Sequence, residues 1–454
     1  MTGRSRAPRS TYRCADCGHQ AAQWVGRCPL CQAWGTLEAA SAPAPSNRPR
    51  VAAGAPSAPA RRIGDVGLDI ARSRPTGVSE LDRVLGGGMI PGAVVLLAGE
   101  PGVGKSTLLL EMAAQATGRV LYVTGEESAG QVRLRAERTG AVRDELYLAA
   151  ESDLGAIVSH LDELRPDLLV VDSIQTMSTS DADGAPGGVT QTRAVTVALT
   201  GLAKERGLPM VLVGHVTKDG SIAGPRVLEH LVDVVLSFEG DKHSTLRMVR
   251  GVKNRFGPAD EVGCFELRDS GIVGMPDPSG LFLERFGGPP VPGTAVTVVM
   301  DGRRPLPAEL QALVTGKDIP SPRRAVSGLD NARVAMLLAV LEKRAGIRLH
   351  DAEVYTATVG GMRVTEPAAD LAMALAITSA RTDVALPSDV VVLGEIGLAG
   401  EVRRVTGLDR RLAEAARLGF THALVPPDPG VTPPGMKITQ VHDVATIVRT
   451  LKPR

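Results

Sequence analysis

The stretch Gly99-Glu-Pro-Gly-Val-Gly-Lys-Ser106 decides how this chain folds. It satisfies G-x-x-x-x-G-K-[ST] at every fixed position, a pattern that carries meaning only between a strand and a helix. Residues 93–98 before it are an apolar run of strand length, and 107–115 after it read as a helix. Glycines let main-chain N–H groups approach phosphate oxygens, and a helix N-terminus adds a favourable dipole. Gly99, Glu100, Pro101, Gly102, Val103, Gly104, Lys105, Ser106 and Thr107 are therefore the expected cradle for ATP. Lys105 is placed to reach the β- and γ-phosphates, and the Ser106 hydroxyl to hold Mg²⁺.

Downstream, apolar strands alternate with helical stretches, the signature of a parallel α/β sheet whose ligands gather at the carboxyl ends of its strands. Strands are expected at 119–124, 145–149, 168–172 and 210–214, and helices at 154–164 and 189–206. Four chemically useful residues fall at strand ends: Lys105, Glu126 with its neighbour Glu127, Asp172 and His215. Asp172 has the position of the carboxylate that supports Mg²⁺ and its waters. Glu126 or Glu127 is a candidate to polarise the attacking water, and His215 to sense the γ-phosphate. Three further strands, at 232–238, 245–252 and 261–267, alternate like an antiparallel sheet edge. Between the last two lies Lys253-Asn-Arg-Phe-Gly257, readable either as a solvated hairpin tip or as two cations aimed at a phosphate.

The chain's 454 residues suggest about three domains. A net charge of +1 does not advertise nucleic-acid binding, and 3% aromatic content argues against a long base-stacking platform. No apolar run approaches the ~20 residues that span a bilayer. The N-terminal stretch with Arg4, Arg6, Arg9 and Arg13 does not resemble a signal peptide. A soluble cytoplasmic protein is expected. Cys14-x-x-Cys17 and Cys28-x-x-Cys31 present four thiolates at the spacing of a closed, tetrahedral Zn²⁺ site. Trp24 and Trp34 lie in the same module, where they are expected to pack its small core, with stacking on a base or a partner as the alternative.

These motifs in this order resemble the bacterial RadA (Sms) family of DNA repair proteins over nearly the whole chain. They comprise the paired cysteine knuckles, Pro75-Thr-Gly-Val-Ser-Glu-Leu-Asp82, the phosphate loop, Gly125-Glu-Glu-Ser128, Val170-Val-Asp-Ser-Ile-Gln-Thr176, Gly214-His-Val-Thr-Lys-Asp-Gly220 and Lys253-Asn-Arg-Phe-Gly257. The central part alone is also similar to RecA and the circadian-clock ATPases. The knuckles and Lys253–Gly257 separate them. The resemblance implies a RecA-like P-loop ATPase core that assembles as a hexameric ring around single-stranded and branched DNA. Such a ring would drive branch migration as a DnaB-like helicase alongside RecA. It also implies Glu126 as the water-activating residue. Lys253 and Arg255 would then act in trans on a neighbour's ATP, or couple ATP state to DNA.

The last third resembles the proteolytic domain of Lon, of the ribosomal protein S5 domain 2-like α/β type. In that likeness Ala368 stands where the serine nucleophile belongs and Asp409 where the lysine belongs, so no peptidase activity is expected. Arg403, Arg404, Arg410, Arg411 and Arg417 are candidate phosphate contacts or a solvated helix face. The expected organisation is a zinc ribbon at 10–35, a flexible linker at 36–62, the ATPase domain at 63–286 and the Lon-like domain at 290–454. A DNA motor and an ATP-switched DNA-binding scaffold share every one of these motifs.

Overall fold

The computed structural model describes residues 11–40, 60, 62–65, 72–215, 227–240, 244–283, 289–316 and 321–451. Most of the expected linker, Arg4, Arg6 and Arg9, residues 216–220 of the Gly214–Gly220 motif and residues 284–288 before the expected Lon-like domain lie outside the described residues. Residues 1–66 and 67–454 form two compact units.

In the first, Thr11–Cys14 pairs antiparallel with Gln20–Ala21 and with Leu37–Ala40, so the ribbon runs past the expected boundary at 35. Its core consists of Cys14, Cys28 and Leu37, with Tyr12, Ala21 and Val25 packed against them. This corrects the expected place of the indoles: Trp24 is 58% exposed and Trp34 75% exposed. The small interior is taken by Cys14, Cys28 and Leu37, while Cys17 and Cys31 stay exposed like the two indoles.

The second unit is built on two sheets. In the first sheet, β1 (Val94–Gly99), β2 (Val120–Thr124), β3 (Leu146–Ala150), β4 (Leu168–Asp172), β5 (Met210–His215) and β6 (Val234–Gly240) run parallel in the order β6-β1-β5-β4-β2-β3. Then β7 (Leu246–Asn254), β8 (Val262–Arg268) and β9 (Gly271–Gly274) extend the β6 side antiparallel. The expected antiparallel edge thus begins one strand later than its alternation suggested, because β6 takes a parallel partner in β1.

Side chains alternate across β1, and each face has its own core. Val95 and Leu97 pack with α1 (Ser79–Leu85), α2 (Lys105–Gln115) and α3 (Ala129–Thr139). Val94 and Leu96 pack with α4 (Leu154–Leu164) and α5 (Val189–Arg206). Ser128 and Gln131 close a capping box at the start of α3, which leaves Glu126 and Glu127 in the turn just before the helix.

The second sheet comprises β10 (Thr294–Asp301), β11 (Arg304–Thr315), β12 (Arg324–Ser327), β13 (Glu353–Thr358), β14 (Val390–Val392), β15 (His422–Val425) and β16 (Lys437–Gln440), in the order β12-β13-β11-β10-β14-β15-β16. Against it lie α6 (Asn331–Ala345), α7 (Asp370–Thr382), α8 (Leu408–Arg417) and α9 (Val444–Arg449). Ala368 is buried in the turn before α7, and Asp409 is exposed in the first turn of α8. That turn is held by two arginine–carboxylate forks. Arg333 grips Asp370 at 2.7 and 2.5 Å, and Arg411 grips Glu366 at 2.6 and 2.7 Å. Arg411 is fully buried, which removes it from the candidate phosphate contacts. Arg417 is paired with Glu414 and Asp277, and Arg403 with Glu401.

The two sheets meet at a welded seam. Arg304 at the start of β11 reaches into the first sheet, pairs with Glu80 of α1, and donates to the carbonyls of Val262 and Pro276 at 3.0 and 2.8 Å. Both partners of this ion pair are almost inaccessible to water. Glu80 also accepts from the Cys264 N–H at 2.9 Å, so its charge is fully engaged. One apolar core crosses the seam, joining Leu246, Cys264 and Phe282 to β10, β11 and α6. Removing one member of a buried pair strands the other's charge, a loss of roughly 3–5 kcal/mol. Arg304→Ala is therefore expected to lower the thermal midpoint of the 67–454 unit sharply, while an Arg304→Met/Glu80→Leu double variant recovers much of that loss. Scanning calorimetry of the full chain checks both.

Candidate functional site

The phosphate loop leaves β1 at Gly99 and enters α2 at Lys105. Gly104 sits at φ 111°, a left-handed conformation open to glycine, and α2 has no side-chain cap at its N-terminus. The first amides of the helix thus face the loop without a competing side chain, the arrangement an oxyanion needs. Arg247, buried on β7, donates to the Val103 carbonyl at 2.9 Å and holds the loop from behind. Lys105 is buried and donates to the carbonyls of Gly99 and Glu100 at 2.8 and 2.9 Å. Burial lowers its pKa, and the nearby charges of Asp172 and Glu126 work against that shift. A desolvated ammonium among backbone carbonyls and helix amides suits a polyphosphate that would replace its lost hydration.

Asp172 and Glu126 complete the polar centre. Asp172 ends β4 and accepts from the Tyr122 hydroxyl at 2.6 Å, one strand away on β2. Burial, then the adjacent carboxylate, pushes the Tyr122 pKa well up, so the phenol remains a donor. Glu126 accepts from the Ser173 hydroxyl at 2.5 Å and lies 2.8 Å from His215 Nε2. Burial tends to raise the Glu126 pKa, but the bonds to Ser173 and His215 and the charge of Lys105 outweigh it and hold the carboxyl below its ordinary range. Glu127 turns away and pairs with Arg135 of α3 at 2.5 Å. Lys105, Glu126, Asp172 and His215 are thus gathered at the carboxyl ends of β1, β2, β4 and β5.

Lys253 and Arg255 are not part of this cluster. Lys253 donates to the carbonyls of Glu229 and Val232 at 2.6 and 2.8 Å, and burial lowers its pKa. Arg255 bonds Asp233 at 3.2 Å; Asp233 also accepts from the Val94 N–H at 3.1 Å, at the entry to β1. The two cations therefore stand at the opposite end of the sheet from the phosphate loop, separated by the length of β1, about 17 Å. Neither is a freely solvated hairpin tip.

Sequence reasoning missed Tyr122, Ser173 and Arg247. Ser173 had a signal, since it directly follows Asp172 at a strand end. Tyr122 is hidden in an apolar run, and Arg247 carries no local mark, because its partner is 144 residues away.

In the ribbon, the sulfurs of Cys14, Cys17, Cys28 and Cys31 all lie within 4.8 Å of one another, with Cys14–Cys31 and Cys17–Cys28 at 3.6 Å. Tetrahedral Zn²⁺ with ~2.3 Å bonds needs sulfurs about 3.8 Å apart, so the four thiolates fit zinc. Residues 12–39 match the rubredoxin metal binding domain, 65–221 an AAA domain, and 360–429 subunit ChlI of Mg-chelatase. The DNA repair protein RadA of Mycolicibacterium smegmatis is 58% identical, covering 98% of this chain and 97% of that protein. RadA of Mycobacterium tuberculosis strain H37Rv is 57% identical, covering 98% and 93%. RadA of Streptococcus pyogenes serotype M1 is 44% identical, covering 98% and 99%. This chain belongs to the RadA family of DNA repair proteins. As a RadA-family protein it joins a zinc ribbon to a P-loop ATPase that uses ATP and Mg²⁺. Among the described residues, no helix is long and apolar enough to cross a membrane.

The RadA-family site leaves no slack at Gly125, where an added Cβ would lie 2.4 Å from the Thr176 hydroxyl oxygen. Gly125→Ala is expected to displace the adjoining Glu126, costing roughly 1–3 kcal/mol of stability and a larger share of ATP turnover than of ATP binding. Parallel thermal, nucleotide-binding and steady-state ATPase measurements check this.

Proposed function

We propose that this protein is a DNA-stimulated ATPase of the cytoplasm that assembles as a hexameric ring and drives branch migration of recombination intermediates. In this reading it acts as a helicase on single-stranded and branched DNA, together with RecA. Lys105 neutralises the β- and γ-phosphates, while Ser106 and Asp172 hold Mg²⁺, with Tyr122 fixing the Asp172 carboxylate. Held there, Mg²⁺ would offset the negative charge that develops on the phosphates. Glu126, ionised and steered by Ser173, accepts the proton of the attacking water. His215, in contact with Glu126, links the γ-phosphate position to the chain that follows β5.

The observation that carries this reading is the separation of Lys253 and Arg255 from the phosphate loop of their own chain. Two cations at the far end of the sheet are out of reach of that chain's nucleotide, and in this reading they serve the nucleotide of a neighbour stacked end to face. An arginine supplied in trans is worth about 10³–10⁵ in rate and ties hydrolysis to assembly. The Lon-like domain contributes to ring contacts, and its exposed Arg404 and Arg410 contribute to a DNA-facing surface.

ATP turnover is expected to rise with single-stranded DNA and to lose that stimulation as salt increases, through counterion release. Turnover indifferent to DNA at every salt concentration would overturn the motor. Lys105→Ala and Arg255→Ala are each expected to be nearly inactive alone and to regain partial activity when mixed, because the mixture contains interfaces with both groups intact. Mixtures that stay inactive would exclude the trans role.

A further inference from the structure

The ribbon exposes its two most costly side chains. Trp24 and Trp34 are 58% and 75% exposed, and Leu30, between them in sequence, is 66% exposed. Both indoles border Gly26: a Cβ built there would stand 3.9 Å from Trp34 Cζ3 and 4.0 Å from Trp24 Cη2. The rings thus flank one residue that has no side chain to fill the notch between them. They are also held in place. Trp24 Nε1 donates to the Leu37 carbonyl at 3.1 Å, and Trp34 pairs through its backbone with Arg27. The Arg27 guanidinium lies 5.6 Å from the Trp34 ring centroid and donates to the Gln32 carbonyl and side chain at 2.8 and 2.7 Å. Two pre-set aromatic faces and a fixed guanidinium form a stacking surface whose ordering cost is already met by the fold.

Charge indicates what the surface receives. Of the chain's 51 Lys and Arg and 50 Asp and Glu, residues 1–62 hold nine and two. This stretch carries +7 and the remainder −6, an imbalance hidden by the overall charge of +1. All nine cations are arginine, the residue that combines phosphate pairing with stacking on bases and aromatic rings. Within residues 11–40 Arg13 and Arg27 are balanced by Asp16 and Glu38, so the excess lies in the flanking chain. Aromatic platforms flanked by cations are a usual means of gripping unpaired bases without regard to sequence.

We infer that the zinc ribbon is a second nucleic-acid contact, separate from the ATPase ring, in which Trp24, Trp34 and Arg27 take the unpaired bases of a single-stranded polynucleotide. Zinc acts there indirectly, by fixing the knuckles that carry the platform. The ribbon's hold on a strand needs no bound nucleotide, because Trp24 and Arg27 are fixed by partners within the ribbon.

The test uses the full-length, zinc-loaded protein without nucleotide. Trp24 and Trp34 are the chain's two tryptophans, so its tryptophan emission reports on the ribbon alone. Oligothymidylate is expected to quench that emission saturably, and oligouridylate in a parallel titration shows whether RNA is taken as well as DNA. Trp24→Ala and Trp34→Ala should each weaken binding to the fluorescently labelled oligothymidylate roughly 5- to 150-fold, with Trp34→Phe retaining most of the affinity. Arg27→Ala should reduce the salt slope by about 0.7. Retained zinc in each variant shows that the ribbon is still folded. The inference is overturned if labelled oligothymidylate binds while the emission stays unchanged and the double alanine variant binds equally well. It is also overturned if the emission responds only to an added acidic protein, which would make the platform a protein-docking surface. DNA-stimulated ATP turnover with silent tryptophans would sink this inference alone; quenching with DNA-indifferent turnover would sink only the proposed motor.

Discussion

The structure depends on a desolvated ammonium. Lys105 is buried among the carbonyls of its own loop and the helix amides that follow, with Asp172 and Glu126 near enough to oppose the loss of its charge. That placement needs a strand ending at Gly99, a helix starting at Lys105, and parallel neighbours that end level with them. The sheet order β6-β1-β5-β4-β2-β3 supplies those neighbours, and the separate apolar cores on its two faces keep the ends level.

Around the ammonium, each carboxylate has its own donor. Tyr122 serves Asp172, Ser173 serves Glu126, and Arg135 draws Glu127 aside. Two adjacent glutamates, equivalent on paper, thereby differ: one faces the polar centre and the other is bound to the helix behind it. The arrangement gives Asp172 and Glu126 separate hydrogen-bond donors from their own sheet and its loops.

Much of this was legible in the sequence, and the limits have physical causes. The phosphate loop, the strands ending at Asp172 and His215 and the cysteine knuckles are local patterns, and local patterns survive without coordinates. What escaped depends on long-range partners or on available volume. The twelve-residue strand β11 was not read, because Pro305 and Pro307 disguise it. The exposure of Trp24 and Trp34 depends on which side chains the ribbon's small core takes, Cys14, Cys28 and Leu37, and composition does not convey that. Burial of Arg411 required knowing that Glu366 lies within reach of α8. Glu80 lies in the Pro75–Asp82 motif, whose local pattern gives no sign of its distant partners Arg304 and Cys264.

The position of Glu80 bears on how genetic screens of this family are interpreted. It sits in the Pro75–Asp82 lead of the nucleotide-binding domain, yet its carboxylate is engaged by an arginine from the Lon-like domain and touches nothing in the ATP cradle. An allele altered there would present as a loss of ATPase function in a survival assay while its phosphate loop stayed intact. Its defect would lie in protein abundance rather than catalysis, and a compensating change would be found near residue 304 instead of near residue 105.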